Sequence, residues 1–67
     1  MTWEFYEVWG VDEDGHEELI DTAKEIKRAR ELADLNLNSE ESNLVECIIF
    51  REDANGDLEE IERLTFE

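Results

Sequence analysis

Two side chains in this sequence have the reactivity for nucleophilic or acid–base chemistry, the imidazole of His16 and the thiol of Cys47. Such chemistry needs a positioned group and a partner that tunes its pKa. His16 stands in a polar turn between acidic residues, whereas Cys47 belongs to an apolar run much further along the chain. Carboxylates are so numerous that no pair of them stands out. The sequence therefore predicts a protein that is not an enzyme.

A short acidic segment in the second half of the chain resembles the beginning of an EF-hand calcium loop. Asp53, Asn55 and Asp57 have the alternate spacing of its first ligands. That loop also needs a glycine at its sixth position and a bidentate glutamate at its twelfth. Here Gly56 comes fourth and Leu64 comes twelfth. Because one histidine and one cysteine are also too few for a structural zinc site, we predict neither a metal ion nor another cofactor.

Charge is the dominant property of this 67-residue chain, which has 21 acidic and 6 basic residues and a net charge of −15. A protein that binds nucleic acid through phosphate contacts needs a basic footprint, so direct nucleic-acid binding is excluded. Residues 24–37 are nearly neutral, with four basic and three acidic residues. The rest of the chain has 18 acidic residues against two arginines. The acidity thus lies outside this one segment.

The length allows a single domain, residues 1–67, with a thin core. No apolar run approaches the roughly 18 residues of a membrane-spanning helix, and the first residues lack the basic and apolar regions of a signal peptide. The net negative charge also opposes binding to anionic membrane surfaces. A single cysteine excludes an internal disulfide bond. We therefore expect a cytoplasmic protein that does not associate with membranes.

The pattern of residue types predicts the element order strand, strand, helix, strand, strand. The strands are predicted over residues 2–11, 16–21, 44–52 and 58–66. Turn signals that contain glycine join them into two antiparallel hairpins, residues 2–21 and 44–66. The last strand has an alternative, because Leu58, Ile61 and Leu64 also fit a helical spacing. No internal repeat is visible in the sequence.

A helix is predicted over residues 23–37, followed by a polar loop over residues 38–43. Thr22 and Glu25 have the spacing of a capping box, which would start the helix there. At about 100° per residue, the apolar side chains Ala23, Ile26, Ala29, Ala33 and Leu37 fall on one side, with Leu32 near its edge. Such a helix covers one face of a sheet. The predicted fold class is therefore α+β, a four-stranded antiparallel sheet with one helix packed on one face.

The opposite face of the predicted sheet has no element to cover it. The first strand is apolar on both sides, since Trp9 alternates with Tyr6 and Val8, and the third strand shows the same pattern. In one interpretation, long side chains such as Arg51 and Arg63 shield this face. In the other, it is an aromatic patch for a partner or for an isologous homodimer. Both interpretations stay open, as does the order of the strands.

Carboxylates on two hairpins would suit a basic cleft that normally holds nucleic acid, because duplex DNA carries one negative charge per about 1.7 Å of its axis. Opposite charges also speed association by electrostatic steering. The candidate binding residues are Glu4, Glu7, Asp12, Glu13, Asp14, Glu17, Glu18 and Asp21 on the first hairpin and Glu52, Asp53, Asp57, Glu59 and Glu60 on the second, extended by Glu46 and Glu62. Trp3, Tyr6 and Trp9 would add an apolar anchor, since interface hot spots favour aromatic residues.

In size, acidity and the order hairpin, helix, hairpin, the whole chain resembles the small phage-encoded inhibitors of host defence. These are the anti-CRISPR and anti-restriction proteins, several of which are acidic DNA mimics. The resemblance implies an inhibitor that occupies the nucleic-acid-binding surface of a defence or DNA-handling protein, in the host cytoplasm if it is phage-encoded. No diagnostic motif is shared, so the resemblance assigns a role to no individual residue.

Two other interpretations of the acidity stay open. An acidic interaction module of the antitoxin type would also neutralise a basic protein partner, so charge alone does not separate it from a DNA mimic. A halophile-type domain of unrelated function would instead spread acidic residues over every exposed face. The nearly neutral segment 24–37 counts against that even distribution.

Overall fold

The computed structural model describes residues 5–39 and 43–65. Its elements are the strands β1 (Phe5–Asp12) and β2 (Glu17–Ala23), the helix α1 (Ile26–Leu37), and the strands β3 (Leu44–Glu52) and β4 (Leu58–Thr65). The strands form one antiparallel sheet in the order β2-β1-β3-β4, and α1 packs on one face of it. The α+β prediction is confirmed, and the last segment is a strand. The predicted strand residues 2–4 and 66 lie outside the described residues.

The two hairpins meet through their first strands, which occupy the centre of the sheet. β1 and β3 pair antiparallel, from Phe5 opposite Glu52 to Asp12 opposite Leu44. Because the paired strands run in opposite directions, the turn of each hairpin lies at the opposite end of the sheet from the other. The molecule is accordingly elongated, with extents of 40 × 21 × 16 Å.

The helix begins later than the sequence predicts, although it ends at Leu37 as predicted. Thr22 lies in β2, and the residue that precedes the first helical turn is Glu25, without a side-chain capping bond. The predicted capping box is therefore wrong. Ala23 pairs with Tyr6 and is only 8% exposed, as part of the hydrophobic core. This pairing and burial hold the chain extended past the predicted start of the helix.

The core lies between α1 and the central strands. Its buried side chains are Val8, Ala23, Ala29, Ala33, Leu37, Cys47 and Ile49. Val8 and Ile49 are directly paired and fully buried. Ala29 and Ala33 on the helix are also fully buried, and their small side chains let the helix lie close to the sheet. The helix thus covers one face of the two central strands.

The two hairpin turns are built alike. Asp12 Oδ1 accepts the backbone N–H groups of the residues two and four positions further on, and Asp53 Oδ1 does the same in the second turn. Gly15 and Gly56 both adopt φ of 84°, a left-handed conformation that favours glycine. Each turn therefore combines an aspartate that organises the backbone with a glycine that lets it reverse.

The likeness of the hairpins extends into their strands at a constant offset of 41 residues. The pairing of β1 with β2 shifts at Ile20, and the pairing of β3 with β4 shifts at the equivalent Ile61. Val8 and Ile49, which are also equivalent, face each other in the centre of the sheet. An approximate two-fold axis therefore passes between them. The sequence shows no repeat because few equivalent positions hold the same residue.

Candidate binding surface

The sheet face opposite α1, here named the open face, collects side chains from all four strands. Alternation along each strand, combined with the pairing register, defines its members. They are Phe5, Glu7, Trp9 and Val11 of β1, Glu17, Leu19 and Thr22 of β2, Glu46, Ile48, Phe50 and Glu52 of β3, and Leu58, Glu60, Arg63 and Thr65 of β4. No element of the described chain packs on this face.

The register arranges these side chains in rows that cross the sheet. The central row consists of Leu19, Trp9, Ile48 and Arg63. Glu17 and Glu46 lie in the row on one side of it, and Glu7 and Glu60 lie in the row on the other. Phe50 stands between the latter two and adjoins Trp9. Leu19, Trp9, Ile48 and Phe50 together form what we name the apolar band, with Glu17, Val11 and Glu46 along one edge and Glu7 and Glu60 along the other.

The middle of the apolar band is covered by its own neighbours. Ile48 is only 3% exposed although no helix lies over it. Its partners across the sheet are Trp9 and Arg63. The Arg63 guanidinium donates to Glu46 Oε1 at 2.7 Å and to Glu60 Oε1 at 2.6 Å, which holds it over the sheet. Shielding by the long side chain of Arg63, one of the two interpretations of the sequence, therefore accounts for this part of the face.

The rest of the band is accessible. Trp9 and Phe50 are half-buried and meet edge to face, with ring centroids 6.4 Å apart. Leu19 is 44% exposed. Arg51, named with Arg63 in the shielding interpretation, is instead paired with Tyr6 on the helix side of the sheet, so it does not shield the open face. The open face is consequently shielded at its β4 side and uncovered toward β1 and β2.

The predicted anchor of three aromatic residues does not form one unit. Tyr6 packs against the core on the helix side, because an odd separation of three residues places it on the opposite face from Trp9. Trp3 lies outside the described residues, as does Glu4. Phe50 takes the place of Tyr6 beside Trp9. Sequence reasoning missed this pair because it depends on the register between β1 and β3.

The predicted carboxylates divide among four places. Those on the open face are Glu7, Glu17, Glu46, Glu52 and Glu60. Asp12, Glu13 and Asp14 lie at the first turn, and Asp53 and Asp57 lie at the second. Glu59 and Glu62 lie on the helix side, where they bind Arg51 and Arg30. Glu18 and Asp21 of the edge strand β2 also lie on the helix side, since they pair with Gly10 and Val8. The structure thus brings together one acidic face and places an acidic turn at each end of it.

Several carboxylates of the open face form no ion pair with another described residue. Both arginines of the hairpins already form ion pairs with glutamates of the same chain. Within residues 5–39 and 43–65, no ion pair involves Glu7, Glu17 or Glu52, although the charge of Glu17 contributes to the raised pKa of Arg63. Glu7 Oε1 accepts the indole N–H of Trp9 at 3.0 Å, which fixes the orientation of the ring. This part of the surface is therefore available to cations from outside.

Glu7 and Glu52 interact directly as two carboxyl groups on neighbouring strands. The pKa of Glu52 is raised, first by desolvation, then by its hydrogen bond with Glu7 and by the charges of Glu7 and Asp53. Two like charges that share a site favour retention of a proton between them. A cation placed beside this pair would remove the repulsion that raises the pKa.

We expect Glu52→Gln to stabilise the protein at neutral pH, since the neutral amide can donate to Glu7 without repelling it. A carboxyl pKa that is raised on folding means that stability is lost as the pH rises through that pKa. The gain, measured by urea unfolding, should therefore shrink as the pH is lowered through the pKa of Glu52. Glu13→Gln removes the same charge from the first turn and measures the effect of net charge alone. Equal gains for the two variants would contradict the coupling.

Three potential metal ligands lie within 4.8 Å of one another in the first turn, on Asp12, Asp14 and His16. Asp12 Oδ1 accepts the backbone N–H groups of the other two residues, each at 2.9 Å. The pKa of Asp12 is lowered, chiefly by the hydrogen bond from His16. The equivalent second turn has the same hydrogen bonds around Asp53. Backbone reversal therefore accounts for the proximity of these groups.

The two side chains considered for nucleophilic chemistry lie apart. His16 is exposed in the first turn, whereas Cys47 is fully buried beneath α1, with Sγ 3.6 Å from the carbonyl oxygen of Ala33. Desolvation, followed by the charge of Glu46, raises the pKa of the Cys47 thiol to about 11. Because the thiolate is the nucleophilic form, Cys47 acts as a small core residue.

Comparison of the chain with protein-family models, with curated proteins and with solved structures finds no match. Within residues 5–39 and 43–65, no helix has the length and apolar character needed to cross a membrane. What this chain does must therefore be inferred from the geometry and charge of its own surface.

Proposed function

We propose that this protein is a non-enzymatic acidic inhibitor that occupies the nucleic-acid-binding surface of a basic partner. The observation that supports this is the placement of carboxylates that form no ion pair among the described residues. Glu7, Glu17 and Glu52 lie on the open face, and an acidic turn lies at each end of the sheet. Because the hairpin arginines bind glutamates of the same chain, this surface offers carboxylates to a partner with little internal competition.

The charge density of the chain is of the order needed to replace DNA. A duplex as long as this molecule, 40 Å, carries about 24 negative charges at one per 1.7 Å. The protein has a net charge of −15, more than half of that number. The open face holds Glu7, Glu17, Glu46, Glu52 and Glu60, whereas on the other face the nearly neutral helix lies over the central strands and is flanked by Glu18, Asp21, Glu59 and Glu62. A partner with a basic cleft would therefore meet the sheet and the turns.

Such an inhibitor would suit a phage that must block a defence system of its host, in the manner of an anti-CRISPR protein acting in the host cytoplasm. Its partner would be a defence or DNA-handling protein. Electrostatic steering would let it reach that partner quickly and compete with the nucleic acid during the encounter.

The proposal is tested by affinity capture from a cell lysate on the immobilised protein, with elution first by a salt gradient and separately by duplex DNA. We expect basic nucleic-acid-handling proteins to elute at moderate salt and to be displaced by DNA, because both treatments compete for the same cationic surface. An inert protein on the same resin gives the background.

Three other outcomes would count against the proposal. A partner that elutes with salt but is not displaced by DNA would indicate an acidic module of the antitoxin type. If the immobilised protein retains no specific protein, its negative charge has no role in binding. A chain that unfolds at about 0.1 M salt and folds only at molar salt would indicate a halophile-type surface.

A further inference from the structure

We propose that the open face is the docking face and that its occupant is a basic amphipathic helix of the partner. The apolar stripe of that helix would lie along the apolar band, and arginine or lysine residues on both flanks of the stripe would meet the glutamates along its edges. This inference rests on the proposed function in requiring a basic partner. It adds which face binds and which shape and chemistry the partner presents.

The geometry of the open face matches such a helix. The apolar band crosses the sheet from Leu19 on β2 to Ile48 on β3, and the row ends at Arg63 on β4. The three strands that carry the band, at about 4.8 Å spacing, span about 10 Å between the outer two. A helix of two turns has a length of about 11 Å. One short helix laid across the strands would therefore cover the band.

The apolar band has the properties of an interface centre. Leu19 remains 44% exposed and Trp9 and Phe50 are half-buried, although no element of the described chain lies over them. The Trp9 ring is already oriented by its bond to Glu7 and by its edge-to-face contact with Phe50. Little side-chain entropy would thus be lost on binding, and tryptophan is a frequent interface hot spot.

The glutamates along the edges of the apolar band determine which residues should flank the apolar stripe of the partner helix. Glu17 borders the band on one side and Glu7 on the other, and neither forms an ion pair among the described residues. Glu52 stands next to Glu7 and repels it. At the β4 side, Arg63 already neutralises Glu46 and Glu60, the glutamates that border the band there. Cations of the partner are therefore expected mainly over β1 and the neighbouring ends of β2 and β3.

A second copy of this chain fits the open face less well. An isologous dimer would bring the same glutamate-bearing face of two molecules together, between chains that each have a net charge of −15. Like charges across an interface oppose association. Charge complementarity therefore favours a cationic occupant over a homodimer.

The test uses the whole protein and two synthetic peptides. One peptide is helical, with leucines along one stripe and arginines on both flanks, and the other has the same composition in scrambled order without a stripe. We expect the striped peptide to bind at least tenfold more tightly by calorimetry. It should also shift the indole N–H resonance of Trp9 in a nitrogen-15 spectrum, because that group lies on the docking face.

Substitutions separate the band from the general charge. Trp9→Ala is expected to abolish the preference for the striped peptide. Leu19→Asn, at an exposed position of the edge strand, should reduce it without affecting the fold. Leu35→Ala is the matched control, because Leu35 is 64% exposed on the helix, away from the open face. Its affinity for the striped peptide should equal that of the unaltered protein. The dispersion of the spectrum reports whether each variant is folded.

Three results would overturn this inference. Equal binding of the two peptides, with no effect of Trp9→Ala, would mean that charge alone determines binding. A larger loss from Leu35→Ala than from Leu19→Asn would place the docking surface on the helix. A dimer in sedimentation equilibrium that Leu19→Asn dissociates would make a second copy the occupant. In each case the proposed function is judged separately, by whether DNA displaces a captured partner.

Discussion

Replacing Ile49 by alanine is expected to unfold a large fraction of the protein, whereas the same replacement at the neighbouring Ile48 should leave it folded. Ile49 is fully buried and belongs to the core beneath α1. Truncating a buried isoleucine to alanine costs about 2–5 kcal/mol. A domain of fewer than about 70 residues rarely has more than about 3–5 kcal/mol of total stability. The stability lost in Ile49→Ala is therefore comparable to the total stability of the protein.

Ile48 provides the matched control because it differs from Ile49 mainly in which face it occupies. It is 3% exposed, but its cover consists of the Trp9 and Arg63 side chains and not of a helix. These covering side chains border solvent and have no helix packed over them, so this site can collapse more easily than the core, and the cost of truncation falls when a site can collapse. Urea unfolding followed by circular dichroism measures both losses. A larger loss for Ile48→Ala would place the main core on the open face.

Neutralising the first turn is expected to slow association with the captured partner about tenfold or more at low salt. The variant combines Asp12→Asn, Glu13→Gln and Asp14→Asn. Asparagine at position 12 retains an oxygen that can accept the N–H groups of Asp14 and His16, so the turn should persist. Removing charges from a steered interface acts mainly on the association rate. Stopped-flow kinetics at several salt concentrations measures the effect.

The matched control removes three charges from the helical segment by Glu25→Gln, Glu31→Gln and Asp34→Asn. These residues lie on or next to α1 and are exposed. If the acidic hairpins contact the partner, this variant should associate faster than the turn variant, and the difference should vanish when salt screens the charges. Equal slowing by both variants would mean that only the net charge matters and that the turns have no special place in binding.

Local features of the sequence determined the elements and the fold class. Glycine-containing turns mark both hairpins, and both Gly15 and Gly56 adopt the positive φ for which glycine is suited. The 3.6-residue spacing of Ala29, Ala33 and Leu37 identified the buried side of α1. The helix start was wrong because the burial of Ala23 in the core outweighed a local capping preference. Local signals thus succeed where no distant contact competes with them.

The candidate surface depended on tertiary structure. Acidic composition identified the carboxylates, but only the pairing of β1 with β3 brings Phe50 beside Trp9 and Glu52 beside Glu7. The same pairing separates Tyr6 from Trp9 and places the two acidic turns at opposite ends of the sheet. Alternation along a strand is a property of neighbouring residues and can be seen in the sequence. Register joins residues some forty positions apart, and it is set by the packing of the whole sheet against the helix.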